Sequence, residues 1–148
     1  MQNNDIPDEN IRASSESNSG NYQARLGRLN DPSCWAALTG QTGTIWIQAD
    51  IGYQTHVSGV ITQGDGGIGS PDWVTTFKVS TFLTTGANEV FLEDQNGDAI
   101  VFPGNVDSTA KATTFFSEPV PARIVRINCL AKGGPYYVLR FEILGCKA

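Results

Sequence analysis

Few residues in this chain are arranged as reacting groups usually are. The run Gly64-Asp65-Gly66-Gly67-Ile68-Gly69 has the GxGxxG spacing of a dinucleotide fingerprint. That motif works because its last glycine opens a helix whose N-terminus holds a pyrophosphate. Here Ser70-Pro71-Asp72 and then a strand-like run follow, so the helix is missing and the glycines read as a flexible loop between strands. Asp94-Gln95-Asn96-Gly97-Asp98 begins like a calcium loop, but its glycine arrives early and the twelfth position is Asn105 instead of a bidentate glutamate. It reads as a solvated hairpin with Asn96-Gly97 at the two turn positions that need positive φ. The lone His56 opens a strand-like run, and neither GxSxG nor HExxH occurs. Glu93 and Asp94 are adjacent in an extended run and point to opposite faces, so they cannot act together on one glycosidic bond. Cys34, Cys129 and Cys146 form no CxxC pair and have no zinc spacing with His56. The expectation is no enzyme, no catalytic residue and no cofactor. A structural calcium ion held by backbone carbonyls would leave no trace in such a reading.

The elements that must position any site are strands. Residues 44–51, 56–63, 73–83, 123–130 and 136–144 alternate or are rich in β-branched side chains, with Tyr137, Leu139, Phe141 and Ile143 on one face of the last. Shorter runs at 90–93 and 99–102 flank the hairpin. All seven prolines fall between these runs or at their edges. No window has a convincing helical period, and short strands separated by turn residues indicate a β-sandwich or barrel. Residues 1–21 are polar and serine-rich, and Ile6 and Ile11 anchor them as a covering loop.

The chain has 148 residues, 40% of them hydrophobic and 17% charged, with 16 glycines. That composition suits one folded domain over residues 1–148 with a single core. A net charge of −5 without a basic run speaks against nucleic acid as a partner. No apolar run reaches the length that spans a bilayer.

A series of local strings then points to a family. Ile11-Arg12-Ala13-Ser14-Ser15-Glu16, Cys34-Trp35-Ala36, Trp46-Ile47-Gln48-Ala49-Asp50-Ile51-Gly52 and Asp72-Trp73-Val74-Thr75-Thr76-Phe77-Lys78-Val79 come in order. Val101-Phe102-Pro103-Gly104-Asn105-Val106-Asp107, Pro119-Val120-Pro121-Ala122-Arg123-Ile124-Val125-Arg126-Ile127 and Leu139-Arg140-Phe141-Glu142-Ile143-Leu144-Gly145-Cys146 complete them. Together, over residues 6–146, they resemble the discoidin domain, also called the coagulation factor V/VIII C-type domain. The resemblance implies an all-β, distorted jelly-roll barrel of two packed antiparallel sheets, galactose-binding-domain-like, with spike loops at one end. It also implies an extracellular, secreted setting and a binding function. Ligands across the family are glycans of galactose type, anionic phospholipid such as phosphatidylserine, collagen and other extracellular protein partners.

Within that resemblance the spike loops map to residues 17–23, 30–39, 65–70 and 130–136. Trp35, Trp46, Phe77, Leu139 and Phe141 read as core, and Arg25, Arg126, Arg140 and Glu142 as charges satisfied by one another or by backbone carbonyls. Members often pair an N-terminal cysteine with the one that ends the domain. Residues 1–10 have none, leaving Cys146 without that partner, and Cys34 and Cys129 are expected to pair at the spike end. The loops are short and polar, with Ile68 the one apolar side chain at the tip of 65–69, and burying one isoleucine contributes about 1.5–3 kcal/mol, too little to anchor a membrane. Asn and Asp acceptors beside tyrosine rings suit a sugar better. The ligand-binding set is Asn18, Asn21, Tyr22, Asp31, Asp65, Ile68, Lys132 and Tyr136, with Lys132 standing where the family often has tryptophan. Three functions follow. The first is a glycan-binding adhesion module. The second is a phospholipid-binding module using Ile68 and Tyr22. The third is an accessory domain of a glycan-processing enzyme.

Overall fold

A computed structural model describes Met1, residues 3–67 and residues 69–147. Its elements in chain order are β1 (Ile11–Ala13), β2 (Trp35–Ala36), β3 (Ile45–Gln63), β4 (Val74–Phe82), β5 (Val90–Phe91), β6 (Phe102–Pro103), β7 (Ala112–Lys132) and β8 (Val138–Lys147), with 3-10 turns at Asp8–Asn10 and Ala24–Leu26. The fold is all-β, and every strand pairing is antiparallel.

Two long strands carry the architecture. The runs at 44–51 and 56–63 are one strand, β3, broken in register between Asp50 and Thr55 and again between Val57 and Gly59. Gly52, at φ 91°, lies inside the first break, where a bend of the chain needs a residue without Cβ. The first half of β3 pairs with β1 and with β7 from Ile124 to Cys129; the second half pairs with β8 and with the start of β7. Both long strands therefore pass from one layer to the other, as a jelly roll requires. β7 begins at Ala112, earlier than expected: Pro119 and Pro121 read as breaks, yet they sit where one side of β7 has no strand neighbour among the described residues to receive an N–H.

Between the layers lies a continuous core around Trp35, Phe77, Phe141, Ile47, Ile127 and Leu139, all without solvent contact. Ile6 and Ile11 are buried in it, so the N-terminal segment does cover the barrel. Arg28 clamps that segment, donating to the carbonyl of Ile6 at 2.7 Å and to the Asp8 carboxylate at 2.7 Å. Trp46 departs from expectation: it is half-buried, with the Arg126 guanidinium 4.0 Å above its ring. The hairpin also differs. Gly97 alone of the pair has positive φ, at 82°, and its N–H donates to Asp94 while Asp94 donates to Asp98. This is a three-residue loop with a glycine bulge.

The Cys34–Cys129 pairing is corrected by the structure, in which all three cysteines are free. Cys34 packs with Ala36 and Val138 in a small outer cluster, whereas Cys129 faces the main core. Cys34 precedes β2, which pairs with β8, while Cys129 lies on β7 between β3 and β4.

Candidate functional site

The loop end is fastened by main-chain bonds. β2 pairs with β8 through Trp35–Leu139 and Ala36–Val138. The first loop then attaches to β2 on its other side: Ser17 N–H donates to the Ala36 carbonyl at 2.9 Å, and Ala36 N–H donates to Tyr22 at 3.2 Å. Those bonds place Ser17, Ser19 and Tyr22 over Cys34 and Ala36.

The loop 64–73 closes on itself through Asp65 N–H to the Asp72 carbonyl at 3.1 Å, and Gly66 N–H ties it to Ser108 at 2.8 Å. Asp72 fixes its surroundings, accepting from the Ser70 hydroxyl and from Tyr136 N–H, both at 2.9 Å. A Cβ on Gly134 would stand 2.2 Å from the Asp72 carboxylate, so only glycine lets the 133–137 loop approach so closely. Beneath these loops the buried Arg140 donates to the carbonyls of Gly64 at 2.7 Å and Asp31 at 2.8 Å. One guanidinium thus joins two spikes.

The result is a cleft of about 210 Å³ to which all four expected loops contribute. Its lining combines Tyr22, Tyr136, Ala36 and Val138 with the polar side chains of Asp65, Asp72, Ser17, Ser19 and Ser70. Asp65 is 3% exposed. Burial pushes its carboxyl above the ordinary value, Asp72 adds to the effect, and Gly67 N–H and Arg140 oppose it. Oδ1 accepts from Gly67 N–H at 2.8 Å, and the Asp72 backbone also hydrogen-bonds the carboxyl. Cys34, another wall of the cleft, has its thiol pushed up to about 12 by burial and then by Asp65. It is a contact surface and not a nucleophile. The arrangement can accept hydrogen bonds from hydroxyls and pack an apolar ring face.

Of the residues expected from sequence, Tyr22, Asp65 and Tyr136 come together in the cleft. Asn18 and Asn21 are exposed on its first loop but do not line it, and the Asn21 carbonyl accepts from Ser33 at 2.6 Å. Asp31 does not line the cleft and accepts locally from Ser33 N–H at 2.9 Å. Lys132 lies in a neighbouring hollow of about 130 Å³ with Leu38 and Tyr136, its ammonium donating to the Pro135 carbonyl at 3.0 Å. Ile68 lies outside the described residues. Sequence reasoning missed Asp72, Ser17, Ser19 and Ser70. The Ser70-Pro71-Asp72 spacing was the available signal, since a carboxylate two residues after a serine at the start of a strand is built to order a turn. No cluster of three or more His, Cys, Asp or Glu side chains suited to a metal occurs among the described residues. No helix of the described chain is long and apolar enough to cross a membrane.

Comparison with known proteins agrees with this fold. Lactadherin of Rattus norvegicus is 36% identical over 99% of this chain, which spans 35% of that protein's length. Discoidin II of Dictyostelium discoideum superposes with a TM-score of 0.78 at 22% identity, over 94% of this chain and 56% of that one. The family 32 CBM from C. perfringens NanJ, solved in complex with galactose, superposes with a TM-score of 0.66 at 14% identity, over 93% and 97% of the two chains. The chain spans about a third of the lactadherins it matches. The F5/8 type C domain model matches residues 10–143, and the chain belongs to that family.

Proposed function

We propose that this chain is a non-enzymatic recognition module of extracellular surfaces that takes a neutral, galactose-type sugar into the loop-end cleft. The observation that carries this reading is a cleft of about 210 Å³, sized for one pyranose ring, whose lining combines the carboxylates of Asp65 and Asp72 and three serines with the rings of Tyr22 and Tyr136. Asp65 accepts from sugar hydroxyls, Ser17 and Ser70 offer further polar contacts, and Tyr22 or Tyr136 covers the apolar face of the ring. The galactose complex of the C. perfringens neighbour supports the reading through shared fold. The carboxylates of Asp65 and Asp72 weigh against an anionic ligand in the same place.

A second reading, an anionic phospholipid surface, has one observation in its favour. The adjoining hollow presents exposed Leu38 and Tyr136 beside Lys132, an apolar and cationic combination that suits a lipid interface. Calorimetric titration with galactose and N-acetylgalactosamine, alongside sedimentation with phosphatidylserine vesicles, separates the two. The glycan reading expects saturable sugar binding that Tyr136→Ala weakens, and no vesicle pelleting at physiological salt. Vesicle pelleting that Leu38→Ser and Lys132→Glu abolish, without sugar binding, would replace it with the lipid reading.

A further inference from the structure

Away from the loop end the barrel has an open seam. β4 accompanies β7 only from Ile124 to Lys132, so residues 112–121 of β7 pair with β3 alone. Their other edge has no strand partner among the described residues. Facing that edge is the wall formed by β5 and residues 92–100, and between the two runs an apolar groove of about 650 Å³. Its floor is Leu92, Ile100, Phe102, Phe116 and Val120. Phe102 stacks on Phe77 at 5.8 Å and lies 5.9 Å from Phe116, so the floor is continuous with the core. On the rim Phe115 is 70% exposed and Val90 58%. An apolar surface of this extent, next to an unpaired strand edge, is the combination that folded proteins otherwise blunt.

Charge decides the occupant. Glu93 and Glu118 line the groove and no basic residue does. Neither carboxylate has an ion pair or side-chain hydrogen bond among the described residues. A second copy related by a two-fold axis would bring these carboxylates against their own images. An anionic membrane would meet the same repulsion. A cationic, partly apolar chain would not. We infer that the seam receives an extended basic segment of a partner protein, which pairs its backbone with the free edge of β7 near residues 113–118, seats apolar side chains on Phe102 and Phe116, and meets Glu93 and Glu118 with lysine or arginine. Strand addition of this kind draws affinity from main-chain bonds and selectivity from alternate side chains.

The probe is a fluorescent octapeptide of alternating valine and lysine, followed by anisotropy with the full chain. Glu93→Lys/Glu118→Lys should weaken its binding about tenfold or more, as loss of paired charges does at interfaces, and Phe115→Ser should weaken it further. Asp5→Lys/Glu9→Lys, with the same change in net charge on the N-terminal segment, which does not line the groove, should leave it within about twofold. Sugar binding at the loop-end cleft should be the same in all these variants, so that failure here is separable from failure of the glycan reading. Three results overturn the inference: equal binding of a serine–lysine peptide, equal weakening by the two double reversals, or undiminished binding of a peptide N-methylated at alternate residues. A dimer in sedimentation equilibrium that Phe115→Ser dissolves, or vesicle binding that Phe115→Ser abolishes, also overturns it.

Discussion

The loop-end cleft and the β5–β7 seam are built by opposite means. The cleft exists because loops are tied down: Arg140 holds the carbonyls of Gly64 and Asp31, and Asp72 holds Ser70 and Tyr136. The seam exists because two strands part company where β4 stops following β7. The cleft is small and offers fixed acceptors, so its selectivity rests on hydrogen bonds whose net worth is modest, about 1 kcal/mol each. The seam is three times larger and offers area, worth about 25 cal/mol per Å² of apolar surface covered. One scaffold thereby carries a directional site and a non-directional one. A weak sugar site of the first kind gains its strength from repetition in longer proteins.

The sharpest way to break the contrast is to remove the tie under the cleft alone. Arg140→Met leaves the Gly64 and Asp31 carbonyls without their donor and should cost about 3 kcal/mol of stability in urea unfolding, as leaving two buried acceptors unsatisfied does. In the folded fraction, sugar binding should vanish while the valine–lysine peptide binds the seam as before. Equal loss at both sites would mean that the two regions are one cooperative unit and that the contrast is only geometric.

Next in size is Asp65→Asn, which keeps an acceptor for Gly67 N–H and removes the negative charge. Sugar affinity should fall about tenfold, the difference between a charged and a neutral acceptor. Burial raises the folded carboxyl above the ordinary value of 3.8, so the folded state binds more protons than the unfolded one between those two values. Stability therefore falls as pH rises from 3.8 through the raised value and levels off above it. Sugar binding should move the other way, strengthening over the same window as the anion forms. Asp65→Asn should flatten both curves. Affinity that stays constant for the natural chain across that window would remove Asp65 from the site.

Much of this was legible in the residues, and the gaps have physical causes. The alternation of Leu139, Phe141 and Ile143 located β8 because one of its faces meets the core. The start of β7 was not legible, because Pro119 and Pro121 look the same in sequence whether they end a strand or mark its unpaired edge. Tyr22, Asp65 and Tyr136 could be placed at one end through the resemblance to the discoidin domain, whose spike loops they fall on. Asp72 could not, because its role depends on a contact with Gly134, sixty residues away, that exists only after the loops fold. The half-buried Trp46 is a similar case: its type argued for the core, while the Arg126 beside it in space keeps it near the surface. The seam is wholly a product of pairing, and no local string announces it.

The finest probe of the contrast uses the thiols already present. Burial pushes both Cys34 and Cys129 up to about 12, which leaves only about one thiolate in ten thousand at pH 8, while Cys146 is exposed. Iodoacetamide at pH 8 should therefore modify Cys146 promptly, with mass spectrometry showing a single addition to the native chain. Cys34 forms part of the cleft wall in a small outer cluster, whereas Cys129 lies on β7 between β3 and β4. Local opening of the loops should label Cys34 faster than Cys129, whose labelling should track global unfolding. Galactose should slow the labelling of Cys34 alone, and the valine–lysine peptide should slow it at neither position. Cys34 labelled as fast as Cys146 would mean the loops are not held shut, and the directional character assigned to the cleft would be lost with them.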